Sequence, residues 1–343
     1  MSTPALILNV AVVGCGYWGP NLIRNFGDHP RSSLRCLVDL DPKRLAMFTG
    51  RHPQARATTS LDEALADPEL HAVAIATPVS THFPLAKKCL EAGKHVLLEK
   101  PMATTVADCD ELIALAAKRG LTLMCDHTFV YTAAVRRIRE LIVGGELGDI
   151  HYFDSVRVNL GLFQHDVNVI WDLAPHDLSI MDYVLDKKPV QVAAHGACHV
   201  AGSRIENIAY LTLRFADETL AHFHVNWLAP AKIRRILVGG SKKMLVYDDL
   251  SPDEKIKVYD KGLLLKEGDA ADPRQMLAGY RVGDVHVPHL DTTEALKRET
   301  DHFLDCIATG KRPETDGEAG KRVVKILVAA QESLARQGAL VNL

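Results

Sequence analysis

The sequence predicts an α/β protein: a doubly wound parallel sheet first, then a second domain built mostly on antiparallel strands. Three observations support this. In the first third, short and almost wholly apolar strands alternate with helical stretches, the pattern of a parallel sheet covered on both faces. Past residue 150 the rhythm changes to strands joined by tight turns, the pattern of an antiparallel meander. A chain of 343 residues also exceeds one ordinary core, so two domains are expected, 1–126 and 127–343.

Residues 6–13 read as a strand, 20–26 open a helix, and 34–38 form a second strand. Helical stretches at 42–48 and 61–66 precede a strand at 72–76 and a helix at 83–92, which Gly93 ends. A buried strand, 95–98, then runs into Glu99-Lys100-Pro101, an unusual place for a paired charge. A helix over 106–118 stops at Gly120, and 122–125 is the last strand of this pattern. A helix at 133–143 leads into strands at 150–160, 190–200, 209–215, 219–227, 235–238 and 244–247. Turns such as Ala216-Asp217-Glu218 and Gly239-Gly240-Ser241-Lys242 join several of these. In TLAHFHVNW the period-two alternation predicts one buried and one free sheet face. Two helices close the chain: 292–308, then one that follows the capping sequence Thr315-Asp316-Gly317-Glu318 and runs to about 337.

Hydrophobic residues at 47% and charged residues at 24% are the proportions of a soluble globular protein. A net charge of -3 and a pI near 6.6 leave no basic footprint for nucleic acid. Charges interrupt every apolar run short of membrane length, and no secretory signal pattern is visible. Seven scattered cysteines without a CxxC fit reduced thiols in the cytoplasm. His222 and His224 share a strand face but lack cysteine or carboxylate partners, so no metal site is expected.

Gly14-Cys15-Gly16-Tyr17-Trp18-Gly19 lies directly after a strand and directly before a helix. Gly14 permits the tight turn, Gly16 lets a pyrophosphate approach the backbone, and Gly19 lets the helix pack on the sheet. The helix N-terminus adds a positive field. Asp39 ends the second strand, where a carboxylate holds the adenosine ribose diol and repels a 2′-phosphate. The pattern predicts a dinucleotide site with NAD as cofactor. Lys43 and Arg44 stand near enough to Asp39 in sequence to keep NADP open.

The stretch AIATPVSTHFPLAKKCLEAGKHVLLEKP joins Thr77-Pro78, Thr81-His82 and Glu99-Lys100-Pro101. In order and spacing it resembles the glucose–fructose oxidoreductase / inositol dehydrogenase / rhizopine-catabolism (Gfo/Idh/MocA) family of NAD(P)-dependent sugar oxidoreductases. GGELGDIHYF, WDLAPHDLSIMD and the C-terminal stretch from Arg298 to Ser333 extend the resemblance over nearly the whole chain. The resemblance implies a Rossmann domain followed by an α/β domain with a large open sheet. It implies cofactor contacts from Thr77, Pro78, His82, Glu99 and Lys100, and a cis bond before Pro101. It also puts Lys100 beside nicotinamide and substrate, in keeping with ligand binding beyond the carboxyl ends of parallel strands. In isolation Lys100 would read as a surface lysine paired with Glu99.

Asp172 and His176 are four residues apart and share one helical face. By the resemblance they belong to a D-x-x-x-H active-site helix, with His176 the base for a hydroxyl proton and Asp172 its orienter. Asp172 also reads as a helix N-cap. His127, Tyr131, Arg157, Asn159, His165 and Asn168 are expected as substrate contacts, because GYWGPNLIRN, RVNLG and DVNVIWDLAPHD resemble a nucleotide-sugar branch. The expected reaction is hydride transfer at a ring carbon, C3 as the guess, of an activated sugar. Other readings are a free cyclitol or hexose dehydrogenase and a non-catalytic cofactor-binding regulator. A homodimer or homotetramer formed through the free sheet face is expected.

Overall fold

The computed structural model describes residues 7–161, 167–265 and 278–343. They fold as two compact units, Met1–Thr132 with Thr293–Val328, and Ala133–Thr292 with Ala329–Leu343. The sequence reading draws one boundary; the folded chain crosses between units more than once.

The first unit opens with β1 (Leu8–Val13), α1 (Gly19–Asp28), β2 (Ser32–Val38), α2 (Pro42–Thr49), β3 (Arg56–Thr58) and α3 (Leu61–Leu65). It continues through β4 (Ala72–Ile75), α4 (His82–Glu91), β5 (His95–Glu99), α5 (Val106–Arg119) and β6 (Leu123–Asp126). The six strands lie in the order β3-β2-β1-β4-β5-β6, every neighbouring pair parallel. Residues of β1, β4 and β5 such as Val13, Ile75 and Leu98 share a core with Leu112 of α5. Helix starts follow local chemistry: Asp41 caps α2, Ser60 caps α3 and Thr105 caps α5, each side chain accepting from a backbone N–H of the first turn. β3 is absent from the sequence reading because it is three residues long with only Thr58 buried.

The second unit contains α6 (Ala133–Val143), β7 (Ile150–Leu160), α7 (Val169–Val184), β8 (Pro189–Ala197), β9 (Ile208–Phe215), β10 (Leu220–Asn226) and β11 (Leu228–Gly240). Next come β12 (Met244–Asp248), β13 (Ile256–Tyr259), β14 (Gly262–Leu265), β15 (Ala278–Arg281) and β16 (Val285–His286). The chain ends with α8 (Ala295–Thr309), α9 (Gly317–Ala335) and β17 (Val341–Asn342). Nine strands form one sheet, β16-β13-β12-β11-β7-β10-β9-β8-β17, while β14 and β15 pair separately. All neighbours in the large sheet are antiparallel except β7 and β10. The sheet is therefore not a plain meander: parallel strands need a crossover, and α7 with β8 and β9 supplies it. Helix α7 packs on β7, β9 and β10.

Helix α8 belongs to the first unit. Arg24 of α1 grips Glu294 with two hydrogen bonds of 3.0 and 2.6 Å, and Phe26 meets Phe303 edge-on at 6.3 Å. Arg31 pairs with both Asp301 and Asp305.

Candidate active site

In the first unit the predicted cofactor residues gather where parallel strands end. The glycine-rich turn follows β1, Asp39 follows β2, Thr77-Pro78 follows β4, Glu99-Lys100 closes β5, and Asp126-His127 closes β6. The strand order reverses between β1 and β4, the point where open α/β sheets take ligands. Two glycines are obligatory in the turn. Gly14 has φ +94°, and a Cβ there would collide with the Ala76 carbonyl. A Cβ on Gly19 would overlap the Gly14 carbonyl, so α1 starts at that distance only with glycine. Tyr17 is 86% exposed, whereas Trp18 is half-buried and its indole donates to Asp126 at 2.7 Å.

Asp39 is buried, and its carboxylate accepts from the Cys15 N–H at 2.7 Å and the Asp41 N–H at 2.8 Å. A carboxylate has about four acceptor positions, so two remain for a ribose diol. The Arg44 guanidinium lies 3.9 Å away. Burial, reinforced by Asp39, pushes the Cys15 thiol up to about 12, so it stays protonated. These residues fit a dinucleotide: a bare turn for the pyrophosphate and an oriented carboxylate for the ribose.

His82 is buried between two backbone carbonyls. Its Nδ1 lies 2.7 Å from the Pro101 oxygen and its Nε2 lies 2.8 Å from the Thr77 oxygen. The ring thus ties the loop after β4 to the cis Lys100-Pro101 peptide. Burial pushes its pKa down, opposed by the two carbonyls and aided by Lys100. A neutral ring donates to only one of the two carbonyls. His82 therefore supports the strand ends through backbone contacts. Lys100 itself is half-buried.

Two predicted substrate residues of this unit lie inside it. His127 is buried, and Tyr131 is fully buried with its hydroxyl 3.0 Å from Thr315 Oγ1. Thr315 in turn donates to the Cys125 carbonyl at 2.7 Å.

In the second unit, Asp172 and His176 occupy successive turns of α7 and both are half-buried. Asp172 is not the N-cap. Asn168 is: its Oδ1 accepts from the Ile170 and Trp171 N–H groups, while its amide donates to Glu206 and Gln331. That places Asp172 in the first helical turn, where Trp227 Nε1 donates to it at 2.9 Å. Sequence reasoning passed over Trp227; its position as the last residue of the alternating TLAHFHVNW stretch was the available signal. Arg157 lies in the buried layer between β7 and α7. It makes a two-pronged pair with Asp177 at 3.0 and 2.6 Å, and Ser155 donates to the same carboxylate at 2.7 Å. Burial opposes its charge, but Asp177 outweighs this and holds the guanidinium protonated. Asn159 is half-buried near the end of β7. His165 lies outside the described residues.

Residues 8–127 match the oxidoreductase family with an NAD-binding Rossmann fold, and residues 135–246 match the GFO/IDH/MocA C-terminal domain. The chain belongs to the GFO/IDH/MocA family. It is similar to the UDP-N-acetylglucosamine 3-dehydrogenase of Acidithiobacillus ferrooxidans, 28% identical over 96% of this chain and 99% of that protein. It is also similar to the myo-inositol 2-dehydrogenase of Thermotoga maritima, 23% identical over 95% of this chain and 96% of that one. Among solved structures, GenD2 from gentamicin A biosynthesis in complex with NAD matches with a TM-score of 0.84 at 26% identity. That match covers 100% of this chain and 98% of GenD2. The first unit is thus an NAD-binding Rossmann domain, and the chain is an oxidoreductase of an NAD-dependent sugar-oxidising family. Among the described residues no helix is long and apolar enough to cross a membrane.

Proposed function

We propose that the protein transfers hydride between NAD and a ring carbinol or ketone of a nucleotide-activated sugar, with C3 as the reacting carbon. The observation that carries the chemistry is Asp172–His176 on one face of α7, with the Asp172 carboxylate oriented by Trp227. The similarity to UDP-N-acetylglucosamine 3-dehydrogenase along nearly the full chain supports the substrate class.

NAD supplies the hydride acceptor. Asp39 holds the ribose hydroxyls, and the turn from Gly14 to Gly19 receives the pyrophosphate against the N-terminus of α1. His176 takes the hydroxyl proton as the carbinol is oxidised, and Asp172 orients it. Lys100 binds the oxygen as negative charge develops, which stabilises the transition state more than the ground state. Glu99, Thr77 and Pro78 serve the cofactor, and Asn159 serves the sugar.

His176→Ala and Lys100→Ala should each lower kcat by roughly 10²–10⁴ while NAD still binds by calorimetry. Because both serve one step, the double variant should lose far less than the product of the single losses. Full activity in either single variant removes that residue from the mechanism. The similarity to myo-inositol 2-dehydrogenase favours a second reading, a free cyclitol substrate. Screening NAD reduction with UDP-sugars against free inositols and hexoses separates the two.

We also infer self-association through the free face of the nine-stranded sheet. Tyr210 is 40% and Leu220 46% exposed there, and Tyr210 stacks on His224 at 4.4 Å. Sedimentation at micromolar concentration should show a dimer or tetramer; a monomer overturns this.

A further inference from the structure

Trp18 belongs to the turn that receives the cofactor, yet its indole points to the far end of the same sheet. Its Nε1–H donates to Asp126 Oδ2 at 2.7 Å, at the end of β6. The other Asp126 oxygen accepts from Thr128 Oγ1 at 2.5 Å. Asp126 is 2% exposed. Against it lies Glu299 of α8, which is 0% exposed. Neither Glu299 oxygen accepts a well-formed hydrogen bond among the described residues, although the Thr128 hydroxyl lies close enough to interact with it. Thr128 has one hydroxyl proton and gives it to Asp126. Two ionised carboxylates side by side in a core would repel and leave lone pairs unsatisfied. A proton on Glu299 removes both costs, because the carboxyl O–H then donates to Asp126.

The groups facing Glu299 agree with a neutral side chain. Glu99 and Asp126 carry the same sign, and Tyr131 and Cys125 are neutral groups whose pKa values burial raises. Burial first, and Asp126 second, hold the Glu299 carboxyl well above the usual carboxylate range. Helix α8 is itself anchored on α1 through Arg24–Glu294 and Phe26–Phe303. It therefore touches the helix that the glycine-rich turn begins, and through Asp126 the turn as well.

We propose that Glu299 is a positioning residue for cofactor binding. Its O–H donates to Asp126, Asp126 holds the Trp18 indole, and the glycine-rich turn is thereby kept in the form that accepts a pyrophosphate. The proposal rests on the NAD-binding site described above.

NAD titration by calorimetry tests it. Glu299→Gln keeps a donor toward Asp126 and should bind NAD within about twofold of wild type. Glu299→Leu removes the donor and should weaken NAD by about tenfold. Trp18→Phe should weaken NAD to a similar degree, and adding Glu299→Leu to it should cost nothing further. With 5-fluorotryptophan incorporated, the Trp18 fluorine resonance (assigned by its loss in Trp18→Phe) should move in Glu299→Leu and stay in Glu299→Gln. Wild-type affinity in folded Glu299→Leu, or equal losses in the Gln and Leu variants, would overturn the proposal. If Glu299→Leu fails to fold, Trp18→Phe decides: wild-type affinity there refutes the tie. Wild-type protein that does not bind NAD would instead sink the underlying cofactor reading.

Discussion

Each unit buries an aspartate beside its site, and the two are neutralised in different ways. In the second unit Asp177 meets Arg157, and the two side chains are 3% and 4% exposed. In the first unit Asp126 meets a second carboxyl, Glu299, and a proton takes the place of the cation. Both arrangements satisfy a buried carboxylate with charge-assisted hydrogen bonds. Their responses to pH differ. An Arg–Asp pair keeps its charges across the physiological range, whereas a carboxyl–carboxylate pair depends on holding a proton.

Breaking the ion pair should have the largest effect. Asp177→Ala leaves a buried guanidinium uncompensated and should destabilise the protein by about 3–5 kcal/mol in urea unfolding. A loss under 1 kcal/mol would mean that water or another group reaches Arg157 readily.

The carboxyl pair should be exposed by pH. The folded pKa of Glu299 is raised above its free value of 4.5, so its contribution is fully present below that pH. That contribution is lost as pH rises toward the folded pKa, at up to about 1.4 kcal/mol per pH unit. Glu299→Gln cannot ionise, so between pH 5 and pH 8 its stability should fall less than that of wild type. Parallel pH profiles for the two proteins would show that Glu299 titrates normally.

The smallest effect should come from replacing both members of the ion pair with apolar residues of similar size. Arg157→Met with Asp177→Leu removes the buried charges together and should be within about 1 kcal/mol of wild type. A loss as large as that of Asp177→Ala would show that Ser155, left without its acceptor, carries much of the cost.

The nucleotide unit was far more legible in the sequence than the second unit. Its strands are short apolar runs and its helices begin at Asp41, Ser60 and Thr105, residues that cap through bonds to their own first turn. In the second unit the strands at 150–160 and 209–215 were readable from alternation, but β13 to β16 were not, being short and weakly patterned. Nor was the parallel pairing of β7 with β10, since alternation marks a buried face without naming the neighbour.

By itself, then, the sequence determined what depends on spacing along the chain. That includes the Gly14–Gly19 turn, the carboxylate at the end of β2, Lys100 at the end of β5, and the shared face of Asp172 and His176. Only the tertiary structure decided which side chains meet across long separations. It put Asn168 rather than Asp172 at the helix cap, turned Tyr131 toward Thr315, bound Arg157 to Asp177, and brought Glu299 of a C-terminal helix to the first unit's Asp126. The physical reason is range: a turn or a cap is settled by neighbours within a few residues, whereas a buried charge is settled by whatever partner the packed chain delivers.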